Sequence, residues 1–130
     1  MTSLLILHYT EDRDVWNGIA STATIESLGH LLTALGFEIS NLEDGPYLRR
    51  YTVTRSDTSG PREVSLNQDG KILQLEHVDS VAYYAALLRW MRGHLPEDLP
   101  LSVVNEGGSP FFEVDFDNLE DQILGEIPMS

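Results

Sequence analysis

An Asp-Gly pair between two stretches of alternating apolar and polar residues constrains the fold more than any other feature of the sequence. Asp69-Gly70 favours a two-residue type I′ turn, because glycine adopts the positive φ of that turn without steric cost. A hairpin closed there places four apolar residues on one face, with Leu66 opposite Leu73 and Val64 opposite Leu75. A register shifted by one residue would turn these side chains to the other face, so turn and pattern predict the same pairing.

Two further segments have the apolar spacing of amphipathic helices. The first begins at Thr22 or Thr24, either of which can cap it, and ends before Gly36. The second begins after a cap at Asp79 and extends to about Leu95. It carries two adjacent apolar stripes, so we expect it to lie at the centre of the core or to bind a partner with one stripe. The second stripe consists of Tyr83, Leu87 and Trp90.

The remaining apolar stretches predict strands and a short final helix, whereas the polar residues 10–14 predict a turn. The predicted strands are Leu4–Tyr9, Phe37–Ile39, Tyr47–Arg55, Leu101–Val104 and Phe111–Phe116, and the helix is Asn118–Ile127 with Asp117 as its cap. Hairpin-length connections make the central strands antiparallel. The sequence therefore predicts one α+β domain over residues 1–130, with a mostly antiparallel sheet of five to six strands and two main helices packed on one face.

Length and composition narrow the class of protein. A chain of 130 residues with 42% hydrophobic and 22% charged residues has the composition of one globular domain. Its longest apolar run, Val81–Leu88, is far shorter than the roughly 20 residues that cross a bilayer. The N-terminus has no basic lead or small-residue cleavage site, and the chain has no cysteine. We therefore expect a cytoplasmic protein without disulfides or thiolate chemistry.

The charge of the chain is strongly negative and unevenly distributed. Twenty-one acidic and eight basic residues give a net charge of −13. Because nucleic acids and anionic membranes are polyanions, neither is an expected partner. All eight basic residues lie at or before Arg92, and residues 93–130 contain nine acidic residues. This asymmetry is typical either of a charge that keeps a protein soluble or of a docking surface for a basic partner.

Three carboxylates alternate near the end of the chain. If Glu113, Asp115 and Asp117 lie on one strand, period two puts them on one face, about 7 Å apart. Glu120 and Asp121 follow at the start of the last helix, where the helix dipole favours acidic residues. Three interpretations stay open: a solvated strand face, a recognition face for lysine and arginine of a partner, and a divalent-cation or acid/base site.

Sequence motifs for catalysis or cofactor binding are missing. There is no phosphate-binding loop, no nucleophile elbow and no zinc-protease motif, and no two of the four histidines have metal-ligand spacing. The sequence therefore predicts no catalytic residue, metal or cofactor, and a protein that is not an enzyme. A small hydrolase that uses Glu113 or Asp115 with a histidine stays as an alternative.

The order of predicted elements from about residue 60 to residue 127 is similar to that of a known class of proteins. Meander strands lead to an aromatic-rich helix with the sequence YYAALLRW at Tyr83–Trp90, and the chain leaves this helix through Leu95-Pro96. A strand at Leu101–Glu106, an acidic strand and a closing helix follow. This layout and composition resemble the small acidic immunity proteins encoded beside bacterial polymorphic toxins. The resemblance implies a protein that binds its cognate toxin, often over the active site of the toxin.

The leading hypothesis is a cytoplasmic immunity protein, a monomer or homodimer, whose negative field steers it onto a cognate toxin with a basic surface. The alternative is a secretion chaperone or adaptor that binds an extended polypeptide as a homodimer. Trp90 is the candidate anchor if the second stripe is exposed. The candidate partner-binding residues are Trp90, Glu106, Glu113, Asp115, Asp117, Glu120 and Asp121.

Overall fold

The computed structural model describes residues 3–7, 13–56, 60–76, 80–105 and 110–126. In these residues seven strands form one sheet with the order β2-β3-β4-β5-β1-β6-β7. The strands are β1 (Ser3–Leu7), β2 (Glu38–Asp44), β3 (Leu48–Thr54), β4 (Arg62–Asn67), β5 (Leu73–Glu76), β6 (Ser102–Asn105) and β7 (Pro110–Glu113). The helices are α1 (Arg13–Gly18), α2 (Ile25–Ala34), α3 (Val81–His94) and α4 (Leu119–Glu126), and a 3-10 turn (Phe116–Asn118) precedes α4.

The predicted α+β class and antiparallel pairing are confirmed, because each pair of neighbouring strands is antiparallel. The predicted count of five to six strands is wrong, since seven strands share the sheet. Two helical connections explain the strand order. The segment with α1 and α2 joins β1 to the edge strand β2, and α3 joins β5 to β6 across β1. No helix in the described part of the chain is long and apolar enough to cross a membrane.

The central hairpin has the predicted register but a different turn. Leu66 pairs with Leu73, and Val64 pairs with Leu75. The N–H of Asn67 donates to the carbonyl of Ile72, so that residues 68–71 form a four-residue connection instead of a two-residue type I′ turn. The N–H of Gly70 donates to the carbonyl of Asn67 and closes a β-turn within this connection. A two-residue and a four-residue connection centred on the same position both pair Leu66 with Leu73. The alternating pattern therefore predicted the register of the strands but not the type of turn. Gly70 still has the positive φ expected of it, 70°.

Helix α2 begins and ends as predicted, whereas α1 and the cap of α3 differ. Thr24 caps α2 through a 3.1 Å bond from the N–H of Ser27, and Gly36 follows the helix with a φ of 91°. Ser80 caps α3, while the predicted cap Asp79 lies outside the described residues. Helix α1 includes part of the predicted turn, and it has no buried residue. Its exposure explains why apolar periodicity did not indicate it.

The core lies between the sheet and helices α2, α3 and α4. Six residues of α3 are buried: Tyr83, Tyr84, Ala85, Leu87, Leu88 and Met91. They share one hydrophobic cluster with Tyr51, Val64, Leu66 and Leu73 of the sheet and with Leu119 and Ile123 of α4. Both apolar stripes of α3 therefore lie mainly in the core, and full burial of each large side chain contributes about 1.5–3 kcal/mol before entropic costs.

Gly29 of α2 packs directly against the Tyr51 side chain of β3. A Cβ atom added there would lie 2.6 Å from the Tyr51 hydroxyl, which donates a 2.9 Å hydrogen bond to the carbonyl of Ile25. Burial, and to a smaller extent the Glu26 carboxylate, raise the pKa of Tyr51, so the hydroxyl keeps the proton that it donates. The helix and strand β3 therefore fit together only because position 29 has no side chain.

We predict that Gly29→Ala lowers the free energy of unfolding by about 1–2 kcal/mol, because overpacking outweighs the gain in helix propensity. Gly93→Ala in α3 is the matched control, since nothing beyond its chain neighbours and the backbone of its own helix lies within 4 Å of its added Cβ. The control should raise stability by up to about 1 kcal/mol. Urea unfolding of both variants measures the two effects. Stabilisation by both substitutions would contradict the packing described for α2.

Candidate functional site

The antiparallel sheet brings carboxylates from separate parts of the sequence to one end. The C-terminal ends of β2, β4 and β7 lie at the same end of the sheet as the N-terminal ends of β3, β5 and β6. Eight exposed acidic residues lie on the strand ends and connections there, and we call them the acidic end. They are Glu43, Asp44, Asp69, Glu97, Asp98, Glu113, Asp115 and Asp117.

Two arginines of β3 neutralise part of the acidic end. Arg49 Nε lies 3.0 Å from Asp44 Oδ1, although the N–H does not point at the carboxylate. Arg50 lies between two carboxylates, 3.7 Å from Glu43 and 3.9 Å from Glu63. Within the described part of the chain, Glu43 and Asp44 are the only members of the acidic end in ion pairs.

Two other cations near this end are engaged by backbone carbonyls. Lys71 is buried, with 8% of its surface exposed, and its Nζ donates a 2.8 Å bond to the carbonyl of Trp16 at the end of α1. The guanidinium of Arg92 donates to the carbonyls of Pro96 and Leu99. These contacts hold the connections in place and leave the carboxylates of Glu97 and Asp98 unneutralised by the described cations.

The predicted alternation of three acidic residues along one strand is wrong. Strand β7 ends at Glu113, and Asp117 lies in the 3-10 turn. The Asp115 carboxylate caps this turn by accepting a 3.1 Å bond from the N–H of Asp117 and a 3.4 Å bond from the Asn118 amide. A local side-chain acceptor competes with sheet pairing, which explains why the strand stops here. The three residues are nevertheless all exposed.

The side chain of Gln122 in α4 holds residues 113–117, which we call the acidic segment, against that helix. Its Oε1 accepts a 2.8 Å bond from the N–H of Asp115, and its Nε2 donates a 2.8 Å bond to the carbonyl of Glu113. Leu119 and Ile123 are fully buried beneath this contact. The acidic segment therefore has a defined backbone, and no sequence pattern indicated this role for Gln122.

Glu120 forms an intramolecular ion pair with Arg89, whereas the adjacent Asp121 has no such partner among the described residues. Its two carboxylate oxygens accept hydrogen bonds of 2.5 and 3.0 Å from Arg89 of α3. This bidentate bond lowers the pKa of Glu120 and raises the pKa of Arg89. Asp121 is exposed and makes no ion pair with the described residues. Of the other predicted acidic residues, Glu106 lies outside the described residues.

Trp90 is half-buried and connects two helices. Its Nε1 donates a 3.4 Å bond to Ser27 Oγ in α2, and its ring contacts His94 with 4.7 Å between the ring centres. Tyr83 and Leu87, the other residues of its stripe, are buried. Trp90 was predicted to be an anchor only if its stripe is exposed, and the burial of Tyr83 and Leu87 means that it is not.

Tyr47 lies in the turn between β2 and β3, although it was predicted to begin a strand. Tyr47 has 81% of its surface exposed, more than Leu124, Val15 or Leu42. Tyr47 lines two open hollows of about 280 Å³ and 350 Å³. Its sequence context, Gly45-Pro46-Tyr47, is a turn signal. That signal could have identified the turn, but exposure of the ring depends on the folded chain.

The described residues contain no group of three or more acidic or histidine side chains that could hold a metal ion. Comparison with known protein families, curated proteins and solved structures finds no match. The acidic end, Asp121 and the Tyr47 turn are therefore the surface features from which a function can be inferred.

The Glu120–Arg89 pair predicts a specific pH dependence. A carboxylate with a lowered pKa in the folded state contributes stability above its ordinary pKa, and this contribution is lost as the pH falls through the folded-state pKa. In Arg89→Gln the pKa of Glu120 should rise toward its ordinary value, as measured by NMR titration of the carboxyl carbon. The loss of stability in this variant should be present at neutral pH, should vanish in acid and should shrink with added salt.

Arg50→Gln is the control for this titration, because Arg50 contacts Glu43 and Glu63 instead of Glu120. It should leave the pKa of Glu120 low. An equal rise in both variants would indicate a general effect of net charge and would contradict the ion pair.

Proposed function

We propose that this chain is an immunity protein that neutralises a cognate bacterial toxin by covering a basic surface of that toxin with its acidic end. One observation carries the proposal. Exposed carboxylates from four separate parts of the chain lie at one end of a single sheet, and only two of the eight are paired with described cations. An arrangement that depends on the fold in this way supports a binding surface over a charge spread for solubility.

The dimensions of the acidic end support a protein partner. Six spacings of about 4.8 Å between seven strands separate the two edges of the sheet by about 29 Å. This width is comparable to that of a patch of about 800 Å², the usual area that each partner contributes to a stable complex. Negative charge over such a surface accelerates the approach of a cationic protein and excludes polyanions.

The composition of the site supports binding over catalysis. The carboxylates of the acidic end lie on an exposed surface, and the two hollows beside Tyr47 are open to solvent. A catalytic acid or base normally needs an enclosed site that alters its pKa. In the proposal the protein acts in the cytoplasm as a monomer or homodimer, and its net charge of −13 opposes only those dimers that bring two acidic ends into contact.

We expect a large secreted protein with a variable C-terminal domain to be encoded beside this chain, and the test uses that domain as the candidate toxin. If the neighbouring genes encode no such protein, the toxin assignment is contradicted. Replacing Asp98, Asp115 and Asp117 together by Asn should slow association with this domain about tenfold at low ionic strength, and the difference should diminish at high salt. Asn preserves the cap at position 115. Stopped-flow fluorescence at two salt concentrations measures the rate.

The matched control replaces Glu26, Glu38 and Glu126 by Gln, which changes the net charge equally at exposed sites outside the acidic end. Its association rate should change by less than about twofold if the position of the charge matters. Equal effects of both triple substitutions would contradict the assigned surface. Absence of binding by the wild-type protein would contradict the toxin assignment.

A further inference from the structure

The turn between β2 and β3 holds an exposed aromatic ring on a rigid backbone. The N–H of Gln68 donates a 3.1 Å bond to the carbonyl of Tyr47, and the Gln68 amide donates a 3.0 Å bond to the carbonyl of Gly45. The N–H of Gly45 bonds to the carbonyl of Leu48 across the turn. These contacts tie the turn to the neighbouring β4–β5 connection, so little backbone entropy is lost when the ring contacts a partner.

Each of the two hollows lined by Tyr47 combines apolar side chains with one carboxylate. Pro46 and Leu48 line both hollows, the first of which also contains Glu43 and the second Asp69 and Ile72. The first hollow also contains Arg50, whereas no lysine or arginine lines the second. Lys71 lies two residues after Asp69 in the sequence, but its Nζ donates to the carbonyl of Trp16 instead. The amide residues Asn67 and Gln68 also line the second hollow, which therefore combines a mainly apolar surface with an aromatic ring and an uncompensated negative charge.

A lysine or arginine side chain has the chemistry that this second hollow matches. Its aliphatic stem can lie against Leu48 and Ile72, while its cationic group contacts the Tyr47 ring and Asp69. A neutral apolar side chain would leave the carboxylate without a partner. A second copy of this chain is disfavoured, because the acidic residues around the turn would face their own equivalents.

We propose that the Tyr47 turn binds a lysine or arginine side chain of a protein partner, in the hollow between Tyr47 and Asp69. This inference rests on the proposed function in taking the partner to be a cationic protein, and it assigns to Tyr47 the anchoring role that was predicted for Trp90. The carboxylates of the acidic end attract the partner, and the Tyr47 turn adds a contact specific for one basic side chain.

The experiment titrates hexalysine into isotope-labelled protein at low ionic strength and follows the backbone amide signals by NMR. Shifts should appear at residues 47–48 and 68–72. Tyr47→Ala should raise the dissociation constant about three- to fivefold, the effect of losing a cation–π contact at an exposed site. Tyr47→Phe keeps the ring and should bind as the wild type does, whereas Asp69→Asn should weaken binding.

Leu124→Ala is the control, because Leu124 is an apolar side chain of α4 with 66% of its surface exposed. It should leave hexalysine binding unchanged. Shifts confined to residues 113–117, or equal affinities of Tyr47→Ala and the wild type, would overturn the site at Tyr47 and leave the proposed function standing. Binding at Tyr47 without any binding of the candidate toxin would overturn the proposed function alone.

Discussion

The burial of α3 against the sheet is the interaction on which the rest of the structure depends. Six side chains of this helix lie in the core, and α3 also carries the residues that hold α2 and α4 in place. Trp90 bonds to Ser27 of α2, and Arg89 binds Glu120 of α4. Because α3 connects β5 to β6 across β1, its packing also joins the β2–β5 meander to the β6–β7 hairpin. The backbone that presents the acidic residues is therefore held by apolar contacts elsewhere.

This arrangement explains how a chain with a net charge of −13 folds and still concentrates its charge. Carboxylates are costly to bury, and those of the acidic end lie on connections and strand ends, while several of the described cations make internal contacts. Lys71 and Arg92 bind backbone carbonyls, and Arg89 joins two helices. The cations thus stabilise the fold, and the acidic end keeps most of its negative charge. The electrostatics of the proposed binding surface follow from this division.

The sequence predicted the features that depend on local periodicity. The Leu66–Leu73 pairing followed from alternation, and Thr24 and Gly36 marked the limits of α2 correctly. The features that it missed depend on competing local bonds or on distant contacts. Glu113 to Asp117 alternate as a strand does, but the cap formed by Asp115 ends the strand. The partner of Glu120 and the exposure of Tyr47 arise only when segments far apart in the chain pack together.

The central claim is that the fold concentrates negative potential at one end of the sheet. Relaxation of amide protons by a cationic and an anionic nitroxide of equal size measures this directly, because the ratio of the two effects reports the local potential. We expect the strongest enrichment of the cationic probe at residues 44–47, 68–70, 97–99 and 113–117. Residues 36–38 and 54–56, at the opposite end, should show a smaller ratio. Equal ratios at both ends would mean that the fold does not concentrate negative potential at the acidic end.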